Sequence, residues 1–142
     1  MKELASDIII ASSPREVWEV LTDFDSYRDW NPFIRSVEGL PAEGETLTVS
    51  IQPPGSRSMT FRPVVLKAEA TSEFRWKGKL LVRGLFDGEH YFILRENEDR
   101  STTFIQGEIF SGILTALFSG ILEKTERGFG LMNEALRSEC ER

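Results

Sequence analysis

The chain has 142 residues, the size of a typical single domain, and is 40% hydrophobic and 28% charged. This balance excludes a disordered or fibrous protein and is typical of a globular one. The formal net charge of −6 repels phosphate backbones and anionic lipid, which argues against a nucleic-acid partner.

The numbers of cysteine and histidine residues and the lengths of the apolar stretches exclude further classes of protein. Cys140 is the single cysteine and His90 the single histidine, so we expect no internal disulfide and no metal site. No phosphate-binding glycine loop or zinc motif occurs, so no cofactor is predicted. Residues 1–7 lack a signal-peptide core, and no apolar stretch is long enough to cross a bilayer. These observations predict a cytoplasmic protein without an integral membrane segment.

The N-terminal part of the chain predicts one strand followed by two short helices. Residues 3–11 end in a β-branched run, which is typical of a strand. The sequence Ser13-Pro14-Arg15-Glu16 predicts a sharp helix start, because it offers a capping serine, a first-turn proline and a capping-box glutamate. A second short helix is predicted around residues 26–30. Pro32 ends it, since the residue before a proline is pushed toward extended geometry.

From Phe33 onward the pattern changes to strands separated by turn residues. The predicted strands cover residues 33–38, 45–52, 58–69, 72–81, 88–96 and 101–111. Consecutive strands joined by short turns favour an antiparallel meander over a parallel sheet.

The two faces of the last predicted hairpin, residues 88–111, differ in character. The inward face combines large aromatic residues with three polar ones: His90, Phe92, Phe104, Gln106, Glu108 and Phe110. The outward face carries Tyr91, Ile93, Ile105 and Ile109. These four are either ordinary strand residues or an apolar patch for a partner or a second copy. Polar groups on an apolar face are costly unless they are paired or used, so the three inward ones are the most informative residues.

The longest helical pattern runs from Leu114 to Cys140 and carries one apolar stripe. Gly120, Gly128 and Gly130 are poor helix residues, which indicates a bend or a close approach of the helix to the sheet. The stripe must be buried, and its only large apolar partner is one face of the predicted sheet. The gap between a curved sheet and a helix is a natural small-molecule site.

The order and spacing of these elements resemble a known family. The motifs that carry the resemblance are residues 13–18, 24–33, 74–78, 84–92, 108–112 and 128–136. The chain resembles the START/Bet v 1-like (helix-grip) superfamily, within its polyketide cyclase/dehydrase-like (SRPBCC) branch. This resemblance implies a single α+β domain over residues 1–142. In it, a curved antiparallel sheet of about seven strands wraps a long C-terminal helix, with two short helices near the N-terminus.

On this fold, twelve residues are predicted to point between sheet and helix and to bind a ligand. They are Trp30, Phe61, Trp76, Phe86, His90, Phe92, Phe104, Gln106, Glu108, Phe110, Phe118 and Leu122. The aromatic residues alternatively fill the core, and the polar ones alternatively satisfy each other. Two loops, residues 52–57 and 82–88, either cover the cavity mouth or are ordinary connections. In the second loop, Phe86 is the residue that would cover the cavity.

Three functions remain open. The leading one is binding of a small hydrophobic or amphipathic ligand, such as a lipid, polyketide, isoprenoid or quinone-like compound. The second is a cyclase or dehydratase, in which His90 and Glu108 move a proton and must lie close together and be reachable through the cavity. The third is a protein-interaction module, which predicts a collapsed core and an exposed apolar patch. The sequence leaves open whether the protein is an enzyme and whether it is a monomer or a homodimer.

Overall fold

A computed structural model describes residues 1–79, 87–112 and 119–142. Its elements in chain order are β1 (Lys2–Ile10), α1 (Pro14–Thr22), a 3₁₀ turn (Phe24–Ser26), α2 (Tyr27–Trp30), β2 (Ile34–Glu38), β3 (Thr48–Ile51), β4 (Met59–Phe61), β5 (Val64–Glu69), β6 (Glu73–Lys79), β7 (Asp87–Glu96), β8 (Thr102–Ser111) and α3 (Ser119–Glu141). One antiparallel sheet has the order β1-β8-β7-β6-β5, and a second has the order β2-β3-β4. The α+β helix-grip class predicted from the sequence is confirmed.

The predicted strand 58–69 is two strands in the structure, so the described residues form eight strands rather than about seven. Pro63 separates them because it has no backbone N–H to donate to a ladder. β4 pairs with β3, whereas β5 pairs with β6 in the larger sheet. The sheets stay joined at this point, since Leu47 donates its backbone N–H to the Pro63 carbonyl at 2.8 Å.

The predicted start of α1 is confirmed atom by atom. The backbone N–H of Glu16 donates to the Ser13 hydroxyl at 3.2 Å, and the Glu16 carboxylate accepts from the Ser13 backbone N–H at 3.3 Å. At the end of α2, the side-chain oxygen of Asn31 accepts from the backbone N–H groups of Phe33 and Ile34. This bond pair turns the chain from α2 into β2.

The core lies between the inner face of the five-stranded sheet and α3. Phe129, Met132 and Leu136 of the predicted apolar stripe are fully buried there. Gly128 allows this packing, because a Cβ at its position would lie 2.3 Å from the Phe33 ring. The close approach expected for the helix glycines is therefore real at Gly128. Gly130 has open space around it.

No helix within residues 1–79, 87–112 and 119–142 combines the length and apolar character that a bilayer crossing requires.

Replacing Gly128 with alanine is expected to destabilise the fold by roughly 1–3 kcal/mol, because the new methyl group overlaps the Phe33 ring. The same change at Gly130 meets nothing within 4 Å and is expected to stabilise the helix by up to ~1 kcal/mol. Urea unfolding followed by circular dichroism measures both free energies. Effects of equal sign at the two glycines would contradict the close contact.

Candidate functional site

A small cavity lies between the three-stranded sheet, β8 and α3. Its volume is about 30 Å³, enough for a water molecule. The residues that line it are Phe33, Ile51, Pro53, Met59, Phe61, Glu108, Phe110, Ile121 and Thr125. Apolar side chains thus form most of the wall, and Glu108 and Thr125 are its polar members.

The twelve predicted site residues divide into several groups. Phe61, Glu108 and Phe110 line the cavity. Phe86 and Phe118 lie outside the described residues, as does most of the predicted loop 82–88. The remaining inward-facing residues are buried in the protein core: Trp76, His90, Phe92, Phe104, Gln106 and Leu122. Their contribution to ligand binding stays a prediction.

Several cavity residues were not among the predicted ligand contacts. Thr125 is the most informative of them, because no described residue forms a hydrogen bond with its hydroxyl group although the residue is buried. A threonine inside the apolar stripe of the last helix was the available signal. Pro53 lines the cavity and belongs to loop 52–57, which was predicted either to cover the cavity mouth or to be an ordinary connection.

The carboxyl group of Glu108 faces the cavity with only 9% of its side chain exposed. Among the described residues, no lysine or arginine nitrogen lies within 4.0 Å of it. Oε1 lies 3.4 Å from Nδ1 of His90, but this approach does not meet the geometry of a hydrogen bond, and Nδ1 has no hydrogen-bond partner among the described residues. Glu108 therefore keeps hydrogen-bonding capacity free at the cavity wall.

His90 is fully buried in a cage of aromatic rings. Its imidazole stacks on Trp76 with ring centroids 5.2 Å apart and lies 4.8 Å from the Phe92 centroid. The Phe129 centroid lies 5.3 Å away, with the two ring planes nearly perpendicular. Catalysis by His90 and Glu108 requires the two side chains to lie close together and to be reachable through the cavity. His90 and Glu108 are close, but Glu108 alone lines the cavity.

A chain of polar side chains continues behind His90. Nε2 of His90 lies 2.9 Å from Oε1 of Gln106, and the Gln106 amide nitrogen donates to Oδ1 of Asn133 at 2.9 Å. Asn133 in turn donates to the Ser6 hydroxyl at 3.4 Å. This chain links β7, β8, α3 and β1, so Gln106 is satisfied internally and fixes the orientation of the imidazole.

The outward face of the β7–β8 hairpin mixes apolar and charged groups. The Tyr91 ring lies across Gly107 with only 6% exposed, its hydroxyl donates to Glu3 at 2.7 Å, and the Arg75 guanidinium lies 4.7 Å above it. Burial, together with the Glu3 carboxylate, raises the pKa of Tyr91 to about 12. Tyr91 thus packs within the outer surface and adds little to an apolar patch.

A wider cleft of about 330 Å³ lies beside α1 and the C-terminal end of α3. The residues that line it are Glu16, Glu19, Val20, Asp23, Ser26, Trp30, Glu139 and Cys140. Trp30 was predicted to point between sheet and helix, but it lines this cleft because α2 packs against α3. Burial, with nearby carboxylates, raises the pKa of the Cys140 thiol to about 12, so it is a poor nucleophile at neutral pH.

The family model for polyketide cyclase/dehydrase and lipid transport matches residues 1–141. The chain belongs to this family. A comparison with curated proteins finds no match. The match to the family model confirms the predicted resemblance to the polyketide cyclase/dehydrase-like branch.

Solved structures share the fold of this polyketide cyclase/dehydrase family member. A START superfamily protein from Mycobacterium smegmatis is 17% identical with a TM-score of 0.77, covering 98% of this chain and 97% of that one. The Zhui aromatase/cyclase from Streptomyces sp. R1128 is 16% identical with a TM-score of 0.75, covering 99% and 94%. A hypothetical protein from Helicobacter pylori is 11% identical with a TM-score of 0.78, covering 98% and 88%. At these identities the likeness establishes the fold.

In this family member, replacing Gln106 with methionine is expected to destabilise the fold. The change leaves Nε2 of His90 and Oδ1 of Asn133 without partners, at roughly 1–3 kcal/mol for each buried group. The matched control is Gln52→Met on an exposed loop, for which we expect a change within about 0.5 kcal/mol. Guanidinium unfolding measures both. A small effect at Gln106 would show that the polar chain contributes little.

Iodoacetamide is expected to label Cys140 slowly in the native protein. With the pKa of the thiol near 12 rather than 9.0, its thiolate fraction at mildly alkaline pH falls by roughly two to three orders of magnitude. Mass spectrometry reports the rate without ambiguity, because the chain has one cysteine. Protein unfolded in urea is the reference, and equal rates in the two states would contradict the shift.

Proposed function

We propose that the chain binds a small hydrophobic ligand with one polar group in the cavity between β4, β8 and α3. The observation that carries the proposal is the Glu108 carboxyl group, which faces an apolar cavity and has no hydrogen bond to a described residue. A ligand hydroxyl group can donate to this carboxyl group, and such a hydrogen bond contributes roughly 0.5–3 kcal/mol. The family description, polyketide cyclase/dehydrase and lipid transport, names ligands of this chemical kind.

Thr125 provides a second polar contact from the opposite wall. It lies on α3, whereas Glu108 lies on β8, and both line the same cavity. Its hydroxyl group can donate or accept, and no described residue occupies it. A ligand oxygen between the two residues would be held from two elements, while its apolar part packs on Phe33, Phe61 and Phe110.

Ligand entry requires the cavity wall to move, since the described cavity of about 30 Å³ is far smaller than a drug-sized site of roughly 300–1,000 Å³. The wall formed by β4 is the natural part to move. β4 has three residues, and Met59 and Phe61 are partly exposed. Pro53, in the turn before β4, completes that wall. Displacement of β4 would enlarge the cavity, and β4 is an edge strand of the smaller sheet.

A cyclase or dehydratase is the second candidate, supported by the 3.4 Å separation of Oε1 of Glu108 and Nδ1 of His90. In that function Glu108 would touch the substrate and His90 would hold the proton behind it. Turnover of a linear polyketide mimic that is lost in Glu108→Gln, while the mimic still binds, would favour catalysis. Binding without turnover in the wild type would favour a ligand carrier.

Saturable binding of 2-naphthol is the expected result for the wild-type protein, measured by tryptophan fluorescence and by thermal shift. Glu108→Gln is expected to weaken binding about tenfold or more, because a hydrogen bond to a charged group becomes a neutral one. Thr125→Val should weaken it by a smaller factor. Glu126→Gln, an exposed change on the same helix, is the matched control and should leave affinity unchanged. Equal affinity in all four proteins would place the ligand elsewhere.

A further inference from the structure

Met59 lies in the wall of the cavity and also reaches the protein surface. It belongs to β4 and pairs with Ile51 of β3, and both residues line the cavity. The next residue, Thr60, points to the opposite side of the strand and is exposed. Met59 is itself partly exposed. Its side chain therefore lies at a boundary that both solvent and a bound ligand can reach.

The other two methionines of the chain have only one of these properties or neither. All three methionines belong to the part of the chain that the structure describes. Met1 is 94% exposed and lies outside the cavity wall, whereas Met132 is fully buried in the core. Met59 is thus the methionine that combines access to solvent with a place in the cavity wall.

A methionine in this position can be oxidised reversibly by a peroxide. A lone pair of the thioether sulfur attacks one oxygen of hydrogen peroxide, and the O–O bond breaks. The hydrogen on the transferred oxygen passes to the departing hydroxide, which leaves as water. The sulfur loses two electrons and the peroxide gains them. An apolar, flexible side chain thereby becomes a polar sulfoxide that accepts hydrogen bonds.

A sulfoxide at position 59 would change the polar contacts that the cavity offers to a ligand. The described wall is apolar except for Glu108 and Thr125, and the Thr125 hydroxyl can donate a hydrogen bond. A sulfoxide oxygen that turns into the cavity competes with the ligand for this donor. It also replaces apolar surface on which the ligand would pack. Oxidation therefore removes one polar contact and part of the apolar wall from the same site.

We propose that Met59 is an oxidation site at which a peroxide lowers the affinity of the cavity for its ligand. This inference rests on the proposed ligand-binding function and assigns a form of regulation to that site. Cys140, the other sulfur that a peroxide could oxidise, lines the separate cleft. Burial raises the pKa of its thiol, which keeps Cys140 in the less reactive protonated form.

Peptide mass spectrometry of the native protein treated with hydrogen peroxide tests the modification without a ligand. We expect Met1 to gain an oxygen atom fastest, Met59 more slowly and Met132 slowest, because susceptibility follows exposure. Saturating 2-naphthol should slow oxidation of Met59 and leave the rate at Met1 unchanged. Oxidation of Met59 no faster than that of Met132 overturns the inference and leaves the ligand-binding proposal standing.

Calorimetric titration with 2-naphthol before and after oxidation tests the effect on binding. We expect the oxidised wild type to bind about tenfold more weakly, the loss that corresponds to one hydrogen bond. Methionine sulfoxide reductases should restore the affinity. The comparison variant is Met59→Leu, in which Met1 is still oxidised. Each protein is compared with its own untreated sample, and peroxide should leave the affinity of Met59→Leu unchanged.

The possible failures of this experiment are distinguishable. Equal affinity of the wild type before and after full oxidation of Met59 overturns the inference while ligand binding stands. An equal loss of affinity in Met59→Leu also overturns it, because the damage then lies at another residue. Failure of the untreated wild type to bind 2-naphthol contradicts both proposals.

Discussion

The packing of α3 against the inner face of the five-stranded sheet is the constraint on which the rest of the structure depends. Phe129, Met132 and Leu136 are fully buried in this contact, and burial of each contributes roughly 1.5–3 kcal/mol. The same contact brings Thr125 and Asn133 of α3 opposite the polar residues of β8. The cavity and the polar chain are therefore consequences of one helix–sheet interface.

The polar residues inside this apolar interface differ in whether their hydrogen-bonding groups have partners. Gln106 and Asn133 are satisfied by each other and by their neighbours, so they fix side-chain orientation across four elements. Glu108 is left with free capacity at a cavity wall. Among the described residues, the buried polar atoms without a hydrogen-bond partner are Nδ1 of His90, 3.4 Å from Oε1 of Glu108, and the side-chain nitrogen of Asn31. Departures of this kind concentrate at functional sites.

The main core and the small cavity use different parts of the fold. The five-stranded sheet and α3 form a continuous core. One wall of the cavity comes from the smaller sheet, through Ile51 of β3 and Met59 and Phe61 of β4. Because β4 is short and pairs with β3, this part of the cavity wall lies outside the five-stranded sheet.

The sequence by itself determined most of the elements and their faces, because those depend on local periodicity and capping, but it did not divide residues 58–69 into two strands of different sheets. Alternation in β7 and β8 placed His90 and Glu108 on the inner face, and the capping box located α1. The tertiary structure alone decided which inward residues reach a cavity, since that depends on how closely α3 approaches and how the sheets join. In the structure, Trp30 lines a separate cleft and Thr125 lines the cavity. Periodicity assigns a side chain to a face, but the distance between two faces is set by packing of the whole chain.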